Sequence, residues 1–76
     1  MRKQLFEKYN LENETYTSRE LGEIVHNLNM ANKWDINKFI SFDVITKDRW
    51  QINFWGQAEN IEFVRVENTN QFKAIA

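Results

Sequence analysis

A chain of 76 residues without a single cysteine predicts one small domain and excludes disulfide staples. One histidine is too few for a structural zinc site, so stability must come from a good core or from association with another chain. Ten Lys and Arg stand against eleven Asp and Glu, which gives no general pull toward nucleic acid or anionic membrane, and no apolar run approaches the ~20 residues of a membrane span.

The opening Met1-Arg2-Lys3-Gln4-Leu5-Phe6-Glu7-Lys8 has basic residues but no apolar stretch behind them. No signal peptide is expected, and the chain reads as cytoplasmic. Residues 2–9 predict a short helix with Leu5, Phe6 and Tyr9 on one side, followed by a connection over 10–15 that is polar apart from Leu11. Thr17-Ser18-Arg19-Glu20 fits a capping box, with Tyr16 and Leu21 placed as its hydrophobic staple. Leu21, Ile24, Val25 and Leu28 then recur at the i, i+3, i+4, i+7 spacing of a core-facing helix. Asn27, Asn29 and Asn32 predict fraying or a stop between 29 and 33. Met30 and Trp34 fall off the stripe, so Trp34 is expected to turn back into the fold, with Asp35 capping a short turn through Ile36–Phe39.

From Lys38 onward the period changes to alternation. Phe39–Ile45 places Ile40, Phe42 and Val44 on one face, and Trp50–Trp55 places Trp50, Ile52 and Phe54 on one face. Pairing Val44 with Trp50, Phe42 with Ile52 and Ile40 with Phe54 keeps like faces together with a three-residue loop, whereas a two-residue loop mixes them. For residues 61–67 the pairing Trp55–Ile61, Ile52–Val64 and Trp50–Val66 leaves the loop Gly56–Asn60, with Gly56 supplying positive φ. The fold class is therefore α+β: one or two N-terminal helices packed on a three-stranded antiparallel β-meander, with a fourth short strand at Phe72–Ile75 as its extension. The expected inner face is Ile40, Phe42, Val44, Trp50, Ile52, Phe54, Val64 and Val66.

That register leaves Phe39, Trp55, Ile61 and Phe63 together at one end of a mostly polar outer face, with Arg65 close by. An apolar patch rimmed by polar groups marks a contact surface, and Trp and Arg are enriched among binding hot spots. Either the N-terminal helix or the Met30–Ile36 chain covers this patch, or a partner does. Catalytic chemistry is not expected. His26 reads as an exposed helix residue with nothing to orient it, Glu20 is used in the cap, and Asp43 and Glu67 lie on strands not placed side by side. There is no Gly-rich phosphate loop. No cofactor or metal is called for.

The segment Thr17-Ser18-Arg19-Glu20-Leu21-Gly22-Glu23-Ile24-Val25 resembles the first helix of helix-turn-helix regulators. The resemblance covers nine residues, lacks the glycine turn at His26-Asn27, and leads into a stretch whose basic residue is Lys33. It implies a winged, DNA-binding alternative in which Lys33, Lys38, Lys47 and Arg49 meet phosphates. The leading expectation is a non-enzymatic inhibitor, adaptor or regulatory subunit. It would bind another protein, or a second copy of itself, through Phe39, Trp55, Ile61, Phe63 and Arg65, and would not engage a membrane.

Overall fold

The computed structural model describes residues 2–75, with the side chain of Arg2 outside that description. Helix α1 (Arg2–Tyr9) is followed by a two-residue strand β1 (Tyr16–Thr17), helix α2 (Ser18–Ala31) and a 3-10 turn (Ile36–Lys38). Strands β2 (Ile40–Thr46), β3 (Arg49–Phe54), β4 (Glu59–Arg65) and β5 (Gln71–Ile75) complete the chain, with a second 3-10 turn (Trp55–Gln57) between β3 and β4. The fold is α+β, two helices on one five-stranded antiparallel sheet of order β1-β5-β4-β3-β2. The expected three or four strands are thus five. β1 has only two residues, too short to show a period, and it pairs Tyr16 with Phe72 and Thr17 with Gln71. No helix among the described residues is long and apolar enough to cross a membrane.

Helix α2 starts where the capping box sets it. The Thr17 hydroxyl accepts from the Glu20 N–H at 3.1 Å, and the Thr17 N–H donates to the Glu20 carboxylate at 2.9 Å, which satisfies two end groups that the helix itself leaves bare. Its stripe buries Leu21, Ile24 and Val25. The helix stops at Ala31, with Asn32 as its C-cap, inside the expected 29–33 window. Asn29 does not loosen it but is itself buried, tied to the sheet.

The β2–β3 register is the one alternation predicts: Ile40 faces Phe54, Phe42 faces Ile52 and Val44 faces Trp50. The connecting loop nevertheless has two residues, since Thr46 pairs with Arg49 across Lys47 and Asp48. A register shift between Val44 and Thr46 absorbs the extra residue, so a β-bulge reconciles the short turn with coherent faces. Neither Lys47 nor Asp48 has positive φ, which rules out the primed turns that hairpins of this length favour.

The β3–β4 register differs from expectation. Ile52 faces Ile61 and Trp50 faces Phe63, with Phe54 opposite Glu59 across a four-residue connection. Every β4 side chain is thereby on the opposite face from the one expected. Ile61 and Phe63 go inward, to 1% and 0% exposure, while Val64 moves to the outer face. The energetics favour this. An Ile and a Phe carry more apolar area than the two valines they replace, a difference of about 2 kcal/mol at ~25 cal/mol per Å². Gly56 does not have positive φ; Ala58 takes the left-handed conformation instead, at φ 51°.

One core results. Leu5 and Leu11 from the N-terminal segment, Leu21, Ile24 and Val25 from α2, and Ile40, Ile52, Phe54, Ile61, Phe63 and Phe72 from the sheet form a single buried cluster. Both helices contribute to that one cluster, so neither forms a second core on the opposite face of the sheet.

Candidate functional site

The sheet begins and ends its β2–β3 hairpin at two very different places. At the strand end away from the hairpin tip, the two 3-10 turns pack together. The Asp35 carboxylate caps the first by accepting from the Asn37 N–H at 2.9 Å, as its position predicts. The Trp55 N–H donates to the Phe39 carbonyl at 3.2 Å. The turns approach so closely that a Cβ on Gly56 would sit 1.7 Å from the Asn37 carbonyl oxygen. Glycine is required here for space, not for torsional freedom.

This junction presents Trp55 to solvent at 62% exposure and holds it there. Its indole N–H donates to the Ser41 hydroxyl at 2.7 Å. That hydroxyl donates in turn to the Asp43 carboxylate at 2.5 Å, which also accepts from the Asn53 amide at 2.6 Å. The chain Trp55–Ser41–Asp43–Asn53 lies on the outer face, where paired residues Ser41 and Asn53 point the same way. Asn53, Ala58 and Glu59 line a shallow depression beside the ring.

Around Trp55 the exposed apolar surface continues in the same turn region. Phe39 is 37% exposed and Ile36 is 83% exposed. Trp34 is 53% exposed rather than folded back into the protein. Its placement follows from the helix end. Asn32 closes α2, and both Lys33 and Trp34 adopt φ 55°, an uncommon conformation for an aromatic residue. The reversal sets the Trp34 ring edge-on to His26, centroids 5.8 Å apart, on the solvent side of α2. Trp34 thus lies against the solvent side of α2, whereas Trp55 lies on the outer face of the sheet beside Ser41. The signal for Trp34 and Ile36 was present in the sequence as residues off the helical stripe, without a strand period to place them.

Of the five residues expected at a contact patch, the fold brings together two, Phe39 and Trp55. Ile61 and Phe63 are core, for the register reason given above. Arg65 lies at the other end of the sheet and is fully engaged. Its guanidinium bonds the Asp48 carboxylate at 3.0 Å, the Lys47 carbonyl at 2.8 Å and the Thr69 carbonyl at 3.1 Å, and rests 4.7 Å over the Phe72 ring. It latches two hairpin loops together.

The basic set of the winged alternative is also divided. Lys33 and Lys38 precede β2 in the chain, while Lys47 and Arg49 lie at the hairpin tip, separated by β2, whose seven residues span roughly 20 Å. Arg49 pairs with Glu62 at 3.6 Å. Among the described residues no second α-helix follows α2. The left-handed pair Lys33–Trp34 ends it, and one 3-10 turn leads directly into β2, which differs from the two consecutive helices of a helix-turn-helix.

No family model matches the chain, and no curated protein or solved structure matches it.

Proposed function

We propose that this chain is a non-enzymatic protein-binding module whose contact surface is the junction of Trp55, Phe39 and Ile36. The observation that carries the reading is that Trp55 is both 62% exposed and fixed by the hydrogen bond from its indole to Ser41. A large ring left in water but held in one orientation loses little freedom when a partner covers it, and tryptophan is enriched among binding hot spots. Lys38 borders the surface and is in no ion pair among the described residues. An acidic rim on the partner would complement it. A second copy of the chain is the other occupant that this surface admits.

Affinity capture from the native cell, followed by mass identification, tests the reading. Trp55→Ala is expected to leave folding stability within about 0.5 kcal/mol of wild type, as for exposed sites. It should weaken capture by roughly thirtyfold, the equivalent of about 2 kcal/mol for a hot-spot anchor. Ser41→Ala, which frees the indole without removing it, should weaken capture less. Retention of the same protein by wild type and Trp55→Ala alike would refute the assignment, and conversion of a wild-type dimer to a monomer by Trp55→Ala would identify the occupant as a second copy.

A further inference from the structure

Strand β2 is one edge of the sheet, and its sequence Ile40-Ser41-Phe42-Asp43-Val44-Ile45-Thr46 contains neither Lys nor Pro, the residues that most often blunt an edge. Its last apolar residues, Val44 and Ile45, are each 54% exposed. A seven-residue edge of this kind is a template on which another strand can form. The opposite edge is different: β1 covers β5 at Gln71 and Phe72, and Lys73 stands on the stretch beyond.

Asn29 meets this free edge from α2. Its side-chain amide donates to the Ile40 carbonyl at 2.7 Å, and its side-chain oxygen accepts from the Ile40 N–H at 3.0 Å. One carboxamide thus supplies to one residue both bonds that a peptide group of an adjacent antiparallel strand would supply. It follows that the Ile40 main-chain groups point away from β3. By the two-residue period, the main-chain groups of Phe42 point to the same free side. At 3% exposure, Asn29 is the one buried polar residue among those described. Its amide would be costly there without these two bonds. At the far end of β2 the register shift between Val44 and Thr46 interrupts the ladder, a second known means of spoiling an edge. Between the two devices only the stretch from Phe42 to Val44 remains open, shorter than the ~5–6 residues of an ordinary strand.

We propose that Asn29 is an edge guard: it occupies the strand-pairing position beside Ile40 and keeps β2 from adding a strand of a second copy of this chain. The guard acts at the edge of the sheet, at the residue between Phe39 and Ser41, which hold Trp55. Its failure is read by self-association of Asn29→Leu, whereas that of the binding assignment is read by partner capture with Trp55→Ala. Asn29→Leu keeps the bulk of the side chain but leaves the Ile40 N–H and C=O bare in apolar surroundings, groups that must find another partner.

The test uses the whole chain in sedimentation velocity over a concentration series, with amide exchange followed at Ile40 and Phe42. Asn29→Leu is expected to self-associate at a concentration roughly tenfold or more below any association of wild type, a ratio equivalent to about 1.4 kcal/mol. Adding Val44→Lys, which puts a charge on the same edge, should return it to a monomer. A folded Asn29→Leu that stays monomeric over the whole series overturns the proposal. So does association that Val44→Lys fails to reverse, because it then arises from general unfolding and not from the edge.

Discussion

The two glycines of this chain make opposite predictions for the same substitution. Gly22 lies inside α2, and a Cβ built there meets one side-chain atom, the Phe42 Cδ2, at 3.9 Å, an ordinary contact. Gly22→Ala should therefore gain the helix-propensity difference, about 0.5–1 kcal/mol. At Gly56 the added Cβ would lie 1.7 Å from the Asn37 carbonyl oxygen and 2.8 Å from its carbon. Both parties are main chain, so no side-chain rotation relieves the overlap, and the two 3-10 turns must separate. Forced overpacking of this kind costs about 2–4 kcal/mol, a large part of the roughly 4–11 kcal/mol expected for a domain of this size. In thermal unfolding, where 1 kcal/mol corresponds to ~4–8 °C for a small domain, Gly22→Ala should raise Tm by several degrees. Gly56→Ala should lower it by about 10 °C or more, and should also weaken the Trp55–Phe39 main-chain bond and partner capture. A Gly56→Ala protein as stable as wild type would refute the close approach that positions Trp55. A destabilised Gly22→Ala would mean that α2 sits nearer to Phe42 than the structure has it.

Two further outcomes follow from contacts described above. Arg65→Ala removes charge-assisted bonds to two carbonyls and to Asp48, from a side chain that is 30% exposed. It should cost about 1–3 kcal/mol by urea denaturation, with Arg65→Lys recovering only part because the planar fork is lost; a change under about 0.5 kcal/mol would refute the latch. The Tyr16 phenol, whose hydroxyl donates to the Tyr9 carbonyl, is held above its usual 10.0 by burial first, then by the charges of Glu14 and Glu20 and by Tyr9. The unfolded chain therefore ionises first on raising pH. The stability that this contributes is fully present below pH 10.0 and is lost as pH rises through the higher folded value. Between about pH 9 and about pH 11, wild type should lose stability more steeply than Tyr16→Phe, and parallel slopes would refute it.

How far the sequence could be read depends on whether one period was dominant. In α2 the cap and the stripe agreed, and in β2 and β3 only one parity was consistently apolar, so both the elements and their mutual register were legible. β4 offers apolar residues on both parities, Ile61 and Phe63 against Val64 and Val66. Its face was decided by loop length and by α1 and Leu11 joining the same core, which no local pattern reveals. The same ambiguity misplaced Ile61 and Phe63 in the expected contact patch. Trp55 was legible as outward because it directly follows the inward Phe54. Trp34 was not, since its position depends on two consecutive left-handed residues with neither Gly nor Asn to announce them.

The placement of the three tryptophans also equips the chain as its own optical probe. Trp55 is in water at the proposed contact surface and Trp34 is in water beside His26 on α2, whereas Trp50 is stacked on Phe42 with centroids 4.6 Å apart, its indole N–H buried and without a hydrogen-bond partner. Emission from Trp55 should shift to shorter wavelength and lose access to soluble quenchers when that surface is covered, while the stacked ring supplies a steady background. Binding can thus be followed on the unlabelled protein, and single replacements of Trp34 and Trp55 show which of the two rings the partner covers.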